Sequence, residues 1–182
     1  MIEGLVLVWT DLGNSILQAR AAEESGLSAY DIVKAVHILS ATILFGTGLG
    51  TAFFFWRAQA SRDVVARLAI ARAVVLADWC FTAPAVIVQP VSGAWMIMHA
   101  GLAWNDRWLV ATYCLYVMAG LCWLPVVAIQ LAMKTMLENQ ASGQAIDDAR
   151  YQRLYRWWFA LGWPAFGGLV VVFLLMVAKP SW

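Results

Sequence analysis

The residues of this chain best placed to do chemistry are its two histidines and one acidic residue lying within an otherwise apolar stretch. His37 stands in the string KAVHILSATILFGTGLG and is followed on its helical face by Ser40, Ala41, Leu44 and Gly48. A neutral imidazole can ligate a metal, haem iron included. Small residues beside it form a slot that a planar ligand or a partner helix can enter. The same pattern also suits a histidine bonded across a helix bundle to a serine, a threonine or a backbone carbonyl. His99 is the second candidate metal ligand. At about 1.5 Å of rise per residue it lies roughly 10 Å shallower than His37, so sharing one iron would need a tilt or a kink, which Pro84 and Pro90 can supply.

Asp78 heads a polar stripe, with Thr82, Gln89 and Ser92 following at helical spacing. A stripe of this kind should face the interior of a membrane bundle. Asp78, Thr82 and Gln89 are therefore a candidate proton-handling or polar site, although an ion pair of Asp78 with Arg72 or Arg57 would satisfy it equally. Tyr113, Tyr116, Trp123 and Gln130 share one face of the next segment, around Gly120. Tyr116 and Trp123 can pack as ordinary aromatics or sandwich a macrocycle or a quinone ring. Cys80, Cys114 and Cys122 show no CxxC or metal-ligand spacing and read as small buried hydrophobes.

The elements that must position these residues follow from composition. Of 182 residues, 63% are hydrophobic and 13% charged, with a net charge of +1, and mean hydropathy is +0.72. A soluble domain averages roughly 45–50% apolar and about 25% charged, so lipid is the better solvent, and a basic nucleic-acid-binding face is excluded. Charges are absent from Ala35–Trp56, Trp79–Asn105, Trp108–Met133 and Trp157–Ala178. Each window exceeds the about 20 residues that a helix needs to cross a bilayer. The prediction is an all-α integral membrane protein, a four-helix transmembrane bundle spanning residues 29–57, 66–98, 106–135 and 151–178 within a domain of residues 28–182. Eight of the 12 Lys and Arg residues fall in the first and third connections, which places those connections in the cytoplasm and both termini on the outer side. Trp56, Trp79, Trp157 and Trp158 then mark the inner rim, and Trp104, Trp108 and Trp182 the outer one.

Residues 1–27 differ. Ile2, Leu5, Val6, Trp9, Leu12 and Ile16 share one helical face, opposite Glu3, Thr10, Asp11, Asn14 and Gln18, which predicts an amphipathic interfacial helix. Its acidic residues and lack of a basic start distinguish it from a signal peptide. Ser28 with Asp31 reads as a capping box for the first span.

The strings YDIVKAVHILSATILFGTGLGTAFFFWRA, ADWCFTAPAVIVQPVSG and LYVMAGLCWLPVVAIQ resemble a bacterial family of small predicted integral membrane proteins, classed as a domain of unknown function, over about residues 29–178. More distantly, KAVHILSATILFGTGLG is similar to the start of the small bacterial membrane protoporphyrinogen oxidases, which are helical bundles that bind haem b. That resemblance implies His37 as the haem ligand. The family's second essential residue, a lysine near the start of the third span, corresponds here to Thr112 when counted from Trp108.

The resulting expectation is a multi-pass protein of the bacterial cytoplasmic (inner) membrane that binds haem b in a redox or porphyrin-handling role. His37 is the axial ligand and His99 a candidate second one; Ser40, Ala41, Gly48, Tyr116 and Trp123 line the cofactor site. Its partners would be the bilayer, a quinone or another redox partner, and a second copy in a homo-oligomer, with no nucleic acid. Whether it is an enzyme stays open; if so, it would be a membrane oxidoreductase. The alternative is a non-enzymatic subunit or assembly factor that packs through its glycine-rich helix faces and carries no cofactor.

Overall fold

The alternation of capping residues and uncharged windows becomes five helices in the computed structural model, which describes residues 13–15 and 26–180. They are α1 (Ala29–Ala58), α2 (Val64–Ala77), α3 (Ala83–Ala100), α4 (Arg107–Ala141) and α5 (Asp148–Ala178), with a π-helical turn, Asp78–Thr82, between α2 and α3. No strand occurs among the described residues. The predicted interfacial helix lies outside them except for residues 13–15, which are helical, and Trp182 lies outside them too.

Local chemistry fixes the ends. The Ser28 hydroxyl accepts from the Asp31 amide at 3.2 Å while the Asp31 carboxylate accepts from the Ser28 amide at 3.2 Å, the reciprocal bonding of a capping box. Asp63 and Asp147 cap α2 and α5 by accepting from the amides of Val65 and Arg150 at 2.8 and 2.9 Å. At the end of α3, Gly101 takes φ = 64°, the left-handed conformation that closes a helix.

Helices α1, α4 and α5 are each long and apolar enough to cross a membrane. The remaining predicted span is divided into α2, the π turn and α3, of 14, 5 and 18 residues. The backbone bonding does not stop there, because the Asp78 amide donates to Val74 and Val75 and the Ala83 amide to Asp78. Large apolar side chains such as Ile38, Leu49, Phe54, Leu121 and Leu174 cover the outside of the bundle, as lipid requires and water would not.

Two small cores hold the helices. One end is packed around Phe55, Leu68, Val74, Met133, Leu137 and Tyr151, drawn from α1, α2, α4 and α5. The other end gathers Ile97, Trp108, Leu109 and Leu175 from α3, α4 and α5. The first and third connections lie together at the former end. There Arg72 bridges to Glu138 at 3.1 Å, and the Tyr151 hydroxyl donates to Gln59 at 3.0 Å under the Arg67 guanidinium.

Several expectations need correcting. Trp108 and Trp158, predicted for the interfacial belts, are only 8% and 6% exposed and belong to the two cores. Trp158 follows Trp157 by about 100° of helical turn, so when one meets lipid the other turns inward. Cys80 and Cys114 are exposed on the apolar exterior rather than buried, where lipid suits a thiol as well as a core does. Helix α4 runs six residues past the predicted end at 135, to Ala141, supported by the contact of Lys134 with Glu138 one turn on.

Candidate functional site

The polar stripe of the second predicted span meets two different environments. Toward the Gly101 end of α3 it forms a seam with α1. The His37 Nδ1 lies 2.8 Å from the Ser92 hydroxyl, and the Gln89 side-chain amide donates to the His37 carbonyl at 2.6 Å and to the Ser40 hydroxyl at 2.5 Å. The absence of a side chain on Gly93 brings α3 close: a Cβ there would stand 3.4 Å from Cε1 of His37.

This network favours one tautomer of the imidazole. The Ser92 hydroxyl has one proton, and it donates that proton to the Val88 carbonyl at 2.5 Å. Ser92 therefore accepts from His37, Nδ1 carries the ring proton, and Nε2 keeps its lone pair. Nε2 makes no hydrogen bond within the described residues and is not sealed inside the bundle.

Toward the middle of the bundle the helices part. A cavity of about 400 Å³ lies between α1, the π turn, α4 and α5. Helices α1 and α5 barely touch. On one side of the cavity they are joined by Phe45, stacked edge-on against Phe166 and Phe173 at 5.8 and 5.7 Å, and on the other by Phe55 against Trp158 at 4.9 Å. Gly48 belongs to the first junction, since a Cβ on it would come within 3.2 Å of the Phe166 ring. The flanking Phe53 and Trp163 are 52% and 70% exposed, so the cavity opens sideways onto the apolar exterior.

The polar part of this cavity is Asp78, Thr82 and Gln130. The Thr82 hydroxyl donates to Asp78 at 2.9 Å and the Gln130 side chain bonds to the same carboxylate, while Oε1 of Gln130 is buried without a partner among the described residues. Among the described residues Asp78 forms no ion pair: Arg72 pairs with Glu138 instead, drawn off by a carboxylate on α4.

The expected site residues thus fall into two groups. His37, Ser40, Gln89 and Ser92 come together in the seam, whereas Gly48, Tyr116, Trp123, Asp78 and Thr82 line the cavity. Ala41, half-buried, follows Ser40 on α1 and is absent from the cavity wall. Tyr116 spends its hydroxyl proton on the Val86 carbonyl at 2.7 Å, tying α4 to α3. His99 joins neither group. Its ring stacks on Trp95 at 3.6 Å with Nδ1 2.9 Å from the Trp95 carbonyl, and it stands seven residues, about 10 Å of helix, beyond Ser92. Thr112 is buried and donates to the Trp108 carbonyl at 2.8 Å, so nothing at that position replaces a lysine ammonium. Among the described residues no three His, Cys, Asp or Glu side chains gather into a metal-binding group.

Gln130, read from the sequence as part of an aromatic face, carried one further signal: it is the only side-chain amide in its uncharged window. No curated protein and no solved structure matches the chain. Residues 31–180 match the family described as predicted integral membrane protein (DUF2269), and the chain belongs to that family.

Proposed function

We propose that this is a multi-pass protein of the bacterial cytoplasmic membrane, with α2, the π turn and α3 together making a fourth crossing and both termini on the outer side, and that it binds haem b through His37. The observation that carries the reading is the bonding of the seam: with the Ser92 hydroxyl bonded to the Val88 carbonyl and to His37 Nδ1, Nδ1 is the donor and Nε2 keeps the lone pair that an iron ligand needs. His37 alone would hold the iron, since His99 points to its own helix. Bound haem would supply one-electron chemistry, and the chain's own contribution is orientation: Ser92 and Gln89 keep the ring and its backbone in place. The test is a visible spectrum of the detergent-purified protein. A Soret band is expected, lost in His37→Ala and kept in His99→Ala. No band after expression with added haem would refute the reading.

A second reading, a cofactor-free subunit or assembly factor, is favoured by one observation. The bonds from Gln89 and Ser92 all end on α1 or on their own helix, so His37 can serve as a strut alone. It predicts a colourless protein that co-purifies with a partner or as a defined oligomer.

A further inference from the structure

We infer that the cavity beneath the seam is a binding site for a lipophilic organic cation, held by Asp78 and Gln130 against an aromatic wall. This site is separate from His37 and stands or falls independently of haem.

Size, wall and floor agree. Ligand sites commonly enclose about 300–1,000 Å³ and are largely apolar with a few convergent polar groups, and this cavity encloses about 400 Å³. Its wall includes Trp123, Trp158, Phe159 and Trp163, and aromatic faces attract cations through their negative quadrupole. Its polar floor has acceptor capacity to spare. Asp78 and Gln130 are 6% and 5% exposed; the Asp78 carboxylate takes hydrogen bonds from Thr82 and the Gln130 side chain but meets no cation among the described residues, and Gln130 Oε1 has no donor among them.

No cation among the described residues pairs with this floor. Arg72 and Lys134 both turn to Glu138, at 3.1 and 3.9 Å. An acid at membrane depth is costly unless paired, and such residues mark substrate paths. An ammonium-headed molecule would supply the missing charge to Asp78 and an N–H to Gln130 Oε1 at once. A neutral alcohol supplies one proton and no charge, and an acyl chain supplies neither. The sideways opening between α1 and α5 gives such a molecule, already dissolved in the bilayer, a route in.

The wall carries its own reporter, because tryptophan emission responds to an occupant. The full chain in lipid nanodiscs is titrated with 4-phenylbutylamine and, in parallel, with 4-phenylbutanol, its neutral counterpart. Saturable binding of the amine is expected, with the alcohol at least tenfold weaker and Asp78→Asn weakening the amine at least tenfold. Gly162 lines the cavity, and a Cβ on it meets nothing within 4 Å. Gly162→Leu should therefore fill the space and abolish the response while leaving the far-UV circular dichroism unchanged, which keeps the test decisive if the Asp78 variant fails to fold. Equal affinity for amine and alcohol would overturn the proposal in favour of an unselective apolar cavity. Undiminished binding of the amine to Gly162→Leu would overturn it by placing the amine elsewhere. A Soret band, present or absent, bears on neither outcome.

Discussion

The seam at His37 and the floor at Asp78 draw on one polar stripe, yet they use it in opposite ways. In the seam Gln89, Ser92 and Ser40 spend their hydrogen bonds on joining α1 to α3 or on their own helices, and a glycine lets the backbones close in. On the floor the helices stand apart and, among the described residues, a carboxylate remains without a cation and an amide oxygen without a donor. In lipid, polar groups act as glue where helices touch and become available for recognition where they separate. The bundle therefore separates holding from binding by spacing more than by residue type.

The sharpest way to break this contrast is to add bulk to a glycine on each side. Gly93→Leu should push the His37 ring off α3 and cost about 2 kcal/mol, the range for overpacking a tight contact. Gly162→Leu, facing open space, should stay within about 0.5 kcal/mol of the parent. Thermal unfolding in detergent, followed by circular dichroism, compares them, and similar losses at both sites would erase the distinction. A smaller effect is expected from polar deletions. Ser92→Ala leaves the His37 Nδ1–H without its acceptor and should cost about 1 kcal/mol, a typical interhelical hydrogen bond in a membrane. Gln130→Leu removes an oxygen that has no donor together with the side chain's single bond to Asp78, and should cost less, about 0.5 kcal/mol. If the Gln130 variant proved the more damaged of the two, the floor would be structural after all.

Much of the frame was legible because charge is so costly in lipid. The uncharged windows located α1, α4 and α5, and Ser28 with Asp31 announced the start of α1. The bond from His37 to a serine across the bundle was one of the two readings its neighbours allowed. What escaped was the inward face of each helix. In a soluble protein the polar face reveals it, but here lipid and core are both apolar, so periodicity is weak. Trp108 and Trp158 were assigned to the belts for that reason. The pairing of Arg72 with Glu138 was hidden for a different one: it joins residues on separate helices whose packing no local pattern encodes.

The π turn carries a last consequence, one of numbering along the chain. A π turn is equivalent to one surplus residue wound into an α-helix. Between Asp78 and Thr82 the chain holds that surplus while α2 stays seated on α4 and α3 on α1. Deleting Cys80, which faces outward, should relax the turn to an ordinary α-helix with both flanks still in phase. A deletion one turn into α2 or α3 would instead rotate everything beyond it by about 100°. A single-residue deletion scan across residues 64–100, read by yield of folded protein, should show tolerance only at the turn; uniform intolerance would mean that the flanks depend on the surplus residue itself.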